Sequence, residues 1–364
     1  MPHLPWFFWL LVIALVPLLF FVLLIAWVRA LRRFLRAPEG FDEVVEVRSA
    51  DGVALTLGHI RPQGDASPLP PVVLCHGLAM NRTAMAFDPQ TSLARMLSAK
   101  GRDVWVVELR GASQGAFDPR VRDATFDTYL AHDIPALLAH VRAVTDQTHV
   151  DWVGFSMGGM LAYAHLGANH GDEIRRLVTI GSPVHFRGHE AARFTGVVPW
   201  MVAPFGWRLR APLGFLAVAV APFVRPGLPR PFTRGFRGSH YDAATLRQIM
   251  AAAFSDVPAG VLHQFNRWVR DDSFNSEDGA VDYRERMSAI RAPALVIAGQ
   301  GDRLALPPCV KDGYERLGSP EKRFVEMGAE HGSHDDYDHL DLIMGRRAHE
   351  EVFPHVLAWL EVEG

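Results

Sequence analysis

A serine between two glycines is the first feature of this sequence that could do chemistry. Gly154-Phe155-Ser156-Met157-Gly158 fits the pattern G-x-S-x-G and lies between a short apolar run and a helical stretch. At a strand-to-helix turn, this pattern holds a serine in a strained backbone with its hydroxyl projecting from the edge of a sheet. The two glycines let the strand and the helix approach closely. We therefore predict that Ser156 is a nucleophile.

A serine hydroxyl is a poor nucleophile without help, so it requires a base within hydrogen-bond distance and a carboxylate behind that base. Asp302 directly follows an apolar run at 294–298, whereas the loop between Gly181 and His189 contains no Asp or Glu. Because the acid of such a site follows a late strand, Asp302 is the predicted acid.

Three histidines, His331, His334 and His339, follow the last predicted strand at 324–327. We prefer His339 as the base, because the mostly apolar segment 340–345 could anchor its loop and fix the imidazole. His331 and His334 remain alternatives. The His and Asp residues of this segment match no metal-ligand spacing, so we predict no metal site.

A tetrahedral intermediate also needs backbone N–H donors for its oxyanion, and losing one donor costs about 3–4 kcal/mol. Leu78 follows His76-Gly77 at the end of a predicted strand, and Met157 follows the nucleophile. The N–H groups of Leu78 and Met157 are the predicted oxyanion hole. We interpret His76 as a residue that shapes this loop through hydrogen bonds. This chemistry requires no cofactor.

Short apolar runs, separated by helical stretches, must position these residues. An antiparallel pair is predicted at 44–47 and 53–60, with its turn at Ala50-Asp51-Gly52. Buried strands are predicted at 71–76, 103–107, 150–154, 177–180 and 294–298, with helices at 91–99, 129–144 and 158–166. The βαβα order predicts an α/β fold class with a doubly wound, mostly parallel sheet.

The interval between Gly181 and Ala294 is far longer than a normal crossover. Its part at 197–223 is apolar and carries two charges, Arg208 and Arg210, and its part at 261–269 reads as an amphipathic helix. We interpret the interval as an inserted helical cap. Residues 213–223 are too few for a second membrane span, so we interpret them as buried packing of the cap, with membrane contact as the alternative.

The N-terminal segment carries no charged side chain from Leu4 to Val28. A helix of that length reaches about 37 Å, which is enough to cross a bilayer. Four arginines follow the span, namely Arg29, Arg32, Arg33 and Arg36. By the positive-inside rule, they place the rest of the chain in the cytoplasm. An export signal is the alternative, although residues 1–5 contain no Lys or Arg.

These features divide the chain into four parts. Residues 1–40 are the predicted transmembrane anchor and basic flank, 41–182 and 292–364 the two parts of the α/β core, and 183–291 the inserted cap.

The composition excludes several classes of function. Of the 364 residues, 49% are apolar and 21% charged, which is too apolar for a disordered chain. With 37 basic and 40 acidic residues the net charge is −3, and no long basic run is present, so we predict no nucleic-acid partner. Two cysteines, Cys75 and Cys309, are too few for a disulfide framework or a cysteine zinc site.

Taken together, these residues resemble the α/β-hydrolase superfamily, and within it the neutral and acid lipases that include gastric and lysosomal acid lipases. The resemblance covers nearly all of 45–362, and its stretches are 76–78, 92–105 with Arg110-Gly111, 154–158, 265–268 and 339–345. It implies Ser156 as nucleophile, Asp302 as acid, His339 as base, and Leu78 with Met157 as oxyanion donors. The stretch 92–107 also resembles polyhydroxyalkanoate synthases, which use cysteine where this chain has Ser156.

We predict a membrane-anchored serine hydrolase that cleaves carboxylic esters with a lipid-like acyl group through an acyl-serine intermediate. The apolar cap and the anchor motivate this substrate class, because together they place an acyl pocket beside a bilayer. One alternative is a thioesterase or acyltransferase that uses the same three residues. Another is a membrane-tethered binding module that keeps the fold without the reaction. The sequence leaves the oligomeric state open.

Overall fold

The computed structural model describes residues 6–35, 40–88, 90–112, 118–168, 173–188, 212–226 and 235–362. Residues 197–211 of the predicted cap, with Arg208 and Arg210, and Arg36 of the basic flank lie outside these ranges.

Eight strands of the described chain form one sheet: β1 (Glu43–Arg48), β2 (Ala54–Ile60), β3 (Val72–Cys75), β4 (Val104–Glu108), β5 (Val150–Phe155), β6 (Ile174–Ile180), β7 (Ala294–Gly299) and β8 (Lys322–Met327). Their order across the sheet is β1-β2-β4-β3-β5-β6-β7-β8. β2 is antiparallel to both of its neighbours, β1 and β4, and the other pairs are parallel. The predicted antiparallel pair and the mostly parallel sheet are confirmed.

The longer helices are α1 (Trp6–Phe34), α2 (Leu93–Ala99), α3 (Ile134–Thr145), α4 (Met157–Gly167), α5 (Leu213–Val220), α6 (Ala243–Ala252), α7 (Ala259–Asp271), α8 (Pro307–Arg316) and α9 (Phe353–Leu360). Single α-helical turns are Pro119–Arg122, Phe126–Thr128, Tyr283–Arg286, Asp341–Met344 and Ala348–Glu351, and a π-helical turn, Tyr129–Asp133, leads into α3. Turns of 3₁₀ helix are Arg82–Met85, Ala221–Phe223, Gly238–His240, Met287–Ala289 and Ala329–His331. The three predicted core helices correspond to α2, to the π-helical turn with α3, and to α4.

The central strands are buried on both faces, which is why they read as continuous apolar runs rather than as alternating ones. Val73 and Cys75 of β3 pack into one core, whereas Val72 and Leu74 pack into the other. Side chains of α3 and α4 complete the first core, and those of α2 and α9 complete the second. The sheet therefore has helices on both faces, as a doubly wound fold requires.

The parallel strands place their carboxyl ends at one edge of the sheet, where ligand sites of such sheets lie. Leu78 follows β3, Ser156 follows β5, Asp302 follows β7 and His339 follows β8. Four loops that are distant in the chain thus meet at this edge.

Between β6 and β7, helix α6 packs against the turn Arg82–Met85 and α7 against the turn Phe126–Thr128, whereas α5 packs against α1 and α6. Trp268 of α7 is buried, with its ring 5.0 Å from that of Phe126. Gln264 of α7 accepts a hydrogen bond from the Phe126 N–H at 3.0 Å. The amphipathic helix predicted at 261–269 lies within α7 and turns its apolar face to the core, as its spacing predicts. We still propose 183–291 as the extent of the cap.

Helix α1 continues beyond the predicted apolar run, as far as Phe34. Its segment Ile13–Phe34 is long and apolar enough to cross a membrane, by length and composition only, and almost all of it is exposed. The last turns of α1 are different, because they pack against α5 and α6 and bury Val28.

Candidate active site

Ser156 lies at the turn between β5 and α4, with backbone angles φ 52° and ψ −117°. A positive φ is strained for a residue with a side chain, and such strain is typical of functional positions. The glycines beside Ser156 make the turn possible. A Cβ on Gly158 would collide with the Cys75 carbonyl, and one on Gly154 would collide with the backbone of Gly158.

His339 connects Ser156 to Asp302. Its Nε2 lies 2.9 Å from Ser156 Oγ, and its Nδ1 lies 2.7 Å from Asp302 Oδ2. Because a carboxylate only accepts hydrogen bonds, Nδ1 carries the ring proton and donates a hydrogen bond to Asp302. Nε2 is then free to accept the Ser156 proton, as general base catalysis requires.

The Asp302 carboxylate is held by the turn that follows β7. Its Oδ1 accepts hydrogen bonds from the N–H groups of Leu304 at 2.8 Å and Ala305 at 2.7 Å. With Oδ1 occupied in this way, Oδ2 faces the His339 ring, and the side chain is shielded from solvent. Fixed on both sides, this carboxylate orients the imidazole.

Of the three candidate histidines, His339 is the one that contacts Ser156 in the described residues. His331 is exposed, with its Nε2 3.7 Å from Glu326. His334 is also exposed, and its backbone N–H donates to Glu351. We therefore propose His339 as the base, and we retain Ser156 and Asp302 as nucleophile and acid.

The two predicted oxyanion donors line one small cleft beside Ser156. Leu78 and Met157 both border it, together with Leu109, Tyr129 and Val257. Met157 is the first residue of α4, where backbone N–H groups have no partner within the helix. We propose that the Leu78 and Met157 N–H groups bind the oxyanion in this cleft.

His76 supports the loop that carries Leu78. Its Nδ1 donates to the Gly77 carbonyl at 2.9 Å, and its Nε2 accepts from the Leu109 N–H at 3.3 Å. Burial lowers the pKa of His76, which favours the neutral ring that this donor and acceptor pair requires. This geometry agrees with the interpretation of His76 as a residue that shapes the loop.

Asp341 is a residue of the site region that sequence reasoning missed. Its buried carboxylate accepts hydrogen bonds from the N–H of Asp338 at 2.8 Å and of Arg237 at 3.1 Å. It therefore ties the His339 loop to a segment inside the predicted cap, and the Leu340 N–H donates a further hydrogen bond to the Gly235 carbonyl. The available signal is an Asp two residues after the predicted base, within the segment 340–345 that the sequence pattern indicates as an apolar anchor.

Asp341 should also make the stability of the chain depend on pH. Burial raises the pKa of Asp341 from an ordinary 3.8 to about 7 in the folded chain. Between these two values folding takes up a proton on this group, so the free energy of unfolding falls as pH rises, by at most about 1.4 kcal/mol per pH unit. Asp341→Asn removes this titration. We expect its thermal midpoint in detergent to fall less than that of the wild type between about pH 5 and pH 7.5.

Asp335→Asn is the matched control for this measurement. Partial burial of Asp335 is outweighed by the Ser239 hydroxyl and Arg237, which hold the pKa of its carboxyl below the usual range. Asp335 therefore stays ionised across the window, and its variant should keep the wild-type slope. Equal slopes for wild type and Asp341→Asn would contradict the prediction.

The acidic residues near His339 are engaged with a guanidinium. Arg237 Nη1 lies 2.7 Å from Asp336 and 3.4 Å from Asp335. Within the described ranges, no group of three or more His, Cys, Asp or Glu side chains is arranged to hold a metal ion. Cys75 and Cys309 are both buried and free.

Comparisons with known proteins identify the family that this chain resembles. A family model described as the alpha/beta hydrolase fold matches residues 70–337. A probable lipase of Schizosaccharomyces pombe is 26% identical over 348 residues, which cover 85% of this chain and 72% of that protein. Human gastric triacylglycerol lipase is 28% identical over 140 residues, which cover 35% of each chain.

Comparison with solved structures finds the same fold. A thermophilic esterase from Thermogutta terrifontis superposes with a TM-score of 0.56 at 20% sequence identity, over 87% of this chain and 98% of the esterase. The resemblance inferred from the sequence motifs, including that to gastric lipase, is confirmed.

Proposed function

Because this chain belongs to the α/β-hydrolase family, we propose that it is a membrane-anchored lipase or esterase that works through an acyl-Ser156 intermediate. Its membership of this family and its similarity to a lipase support an ester-cleaving hydrolase. The observation that carries the mechanism is the continuous line of hydrogen bonds from Asp302 through His339 to Ser156. This line supplies a nucleophile, a base and an orienting carboxylate in one place.

In the first half of the reaction, Ser156 Oγ attacks the ester carbonyl carbon and its proton passes to His339 Nε2. The carbonyl oxygen becomes an oxyanion, and the Leu78 and Met157 N–H groups donate to it. Asp302 stabilises the imidazolium that forms. His339 then returns the proton to the alkoxy oxygen as the C–O bond breaks, so that an alcohol leaves and the acyl group stays on Ser156.

In the second half, water attacks the acyl carbon and loses a proton to the same His339 Nε2. The second tetrahedral intermediate collapses, the bond to Ser156 Oγ breaks, and Ser156 takes back the proton. A carboxylic acid is released and the resting enzyme is restored. The N–H pair at the cleft serves both intermediates, because both place their oxyanion at the same position.

A lipid-like acyl group is the substrate class that the surroundings favour. The α1 segment Ile13–Phe34 has the length and composition of a membrane anchor, and the cap contributes apolar helices such as α5. A segment of the cap, at 235–237, is hydrogen-bonded to the His339 loop through Leu340 and Asp341. These neighbours favour an acyl chain from the bilayer rather than a small polar ester.

The arginines at the end of α1 support an orientation with the hydrolase on the cytoplasmic side. Arg29, Arg32 and Arg33 follow the uncharged run within one and a half turns. Digestion by an added protease in intact and in permeabilised cells tests this: protection in intact cells is the expected result, and digestion without permeabilisation contradicts it.

Activity against p-nitrophenyl esters from butyrate to palmitate tests the proposed substrate class. We expect kcat/KM of the purified chain in detergent to rise with acyl length, and Ser156→Ala to be inactive on every ester. A strict preference for the shortest ester would contradict the lipid-like substrate while leaving an esterase. Faster turnover of acyl-CoA than of any oxygen ester would instead favour the thioesterase alternative.

A further inference from the structure

Helix α5 and the turn after it contain no polar side chain. The sequence from Leu213 to Phe223 is entirely apolar. A helix that is apolar on all sides is normally buried on all sides. Here one side is buried, through Gly214, Ala217, Val218 and Ala221. The other side faces outward.

The outward side carries three large apolar residues in one line. Leu216, Val220 and Phe223 are spaced by four and three positions, so they share one face, and their exposed fractions are 48%, 45% and 73%. We call these three residues the α5 stripe. Single exposed apolar residues are common, but an aligned set on a fully apolar helix indicates a surface that something covers.

The α5 stripe lies beside the membrane-anchor candidate. Helix α5 packs against α1. The C-terminal part of α1 is the part shielded from solvent, because Val28 is buried and Leu31 is half-buried there. The exposed apolar residues of α1, such as Phe20 and Leu23, precede this point, and Arg29 follows it. The contact therefore lies near the level at which α1 would leave the hydrocarbon core for the headgroups.

We propose that α5 is a second membrane-contacting element, whose stripe inserts into the interfacial layer of the bilayer that α1 crosses. This inference rests on the proposed anchoring by α1. The bilayer is favoured over a second copy of the chain because the apolar surface of α1 needs lipid and α5 adjoins that surface. Arg225, exposed just after the α5 stripe, is suited to lipid phosphates at the same depth.

The α5 helix is also connected to the candidate active site. A Cβ on Gly214 would come within 2.7 Å of the Ser255 backbone, and the Phe215 N–H donates to Asp256 Oδ1 at 3.1 Å. The Ser255 N–H donates in turn to the Ala79 carbonyl at 2.9 Å. Ala79 follows the oxyanion donor Leu78. Docking of α5 would therefore hold the oxyanion side of the cleft close to the lipid surface.

Lipid quenching of site-specific probes tests this proposal on the full chain. Cys75 and Cys309 are buried, so a cysteine introduced at the surface is the one that a bimane reagent labels. Phe223→Cys reports on the α5 stripe and Phe20→Cys on α1, and Val144→Cys, on the exposed side of α3, is the matched control. Each labelled chain is reconstituted into phosphatidylcholine and phosphatidylglycerol vesicles, with or without brominated acyl chains.

We expect brominated lipid to quench the probes at 223 and 20 at least twofold and to leave the probe at 144 unchanged. Quenching at 20 but not at 223 overturns the inference while leaving the anchor. A blue-shifted but unquenched probe at 223 shows a protein partner instead and also overturns it. No quenching at either position overturns both the anchor and the inference. Ester hydrolysis is measured separately, so this result does not contradict the proposed hydrolase activity.

Replacing the whole stripe provides a functional readout. The variant Leu216→Ser, Val220→Ser, Phe223→Ser should lose about tenfold in hydrolysis of a long-chain ester embedded in vesicles. Its hydrolysis of soluble p-nitrophenyl butyrate should stay within about twofold of the wild type, which also shows that it folds. An equal loss on both substrates, or none on either, contradicts membrane docking by α5.

Discussion

His339→Ala is expected to lower kcat for ester hydrolysis by about 10⁵-fold or more, since the nucleophile and the base act as a unit. The imidazole lies 2.9 Å from Ser156 Oγ and 2.7 Å from Asp302 Oδ2, so its loss removes both proton transfer and the connection to the carboxylate. Alanine leaves Ser156 as an ordinary alcohol, which is a poor nucleophile at neutral pH. Steady-state hydrolysis of a p-nitrophenyl ester measures the effect.

The matched controls are the two histidines that the sequence left as alternatives. His331→Ala and His334→Ala remove exposed side chains from the same segment, and both should retain activity within about twofold of the wild type, as surface substitutions usually do. Thermal midpoints of all three variants show whether they fold. A loss of several orders of magnitude in His331→Ala or His334→Ala, with His339→Ala active, would assign the base differently.

Asp302→Asn is expected to cost about 10⁴-fold in kcat, the size of effect seen when the orienting carboxylate of such a site becomes an amide. The asparagine oxygen can still accept the N–H groups of Leu304 and Ala305, so the turn after β7 should persist. Its NH₂ group then faces His339 Nδ1 and favours the opposite tautomer, with the proton on Nε2. In that tautomer the ring cannot accept the Ser156 proton.

A carboxylate elsewhere on the chain serves as control for Asp302→Asn. Asp312→Asn changes an acid in α8 that pairs with Arg316 at 2.6 Å, and it should leave kcat unchanged within about twofold. If Asp302→Asn lost less than tenfold while remaining folded, a different residue would orient His339, and the assignment of the acid would be wrong.

The strands and the nucleophile turn were predictable because their signals are local. β3 and β5 are buried on both faces, and a strand in that position must be a short apolar run between turn residues. The glycines around Ser156 are required by close approach of backbone to backbone, which leaves a pattern within five residues. Asp302 could be placed because it directly follows β7 in the chain.

Other parts of the site depend on contacts between distant segments, which no local pattern records. The buried Asp341 carboxylate binds the N–H of Arg237, a residue 104 positions away. The packing of α5 on α1 is equally non-local, and so is the order of strands across the sheet. The sequence indicated that 213–223 was apolar, and the fold determined that one face of this segment is buried and one exposed. The spacing of the three histidines does not identify the base. The short distance between His339 Nε2 and Ser156 Oγ favours His339.

Reaction with a fluorophosphonate probe, followed by intact-mass measurement, shows whether Ser156 is an activated nucleophile that becomes acylated. We expect one adduct per wild-type chain, located on Ser156, no adduct on Ser156→Ala, and strongly slowed labelling of His339→Ala. Folded wild-type chain that stays unlabelled would contradict an activated Ser156 and favour a binding module without catalysis. Labelling that persists in Ser156→Ala would place the reactive nucleophile elsewhere.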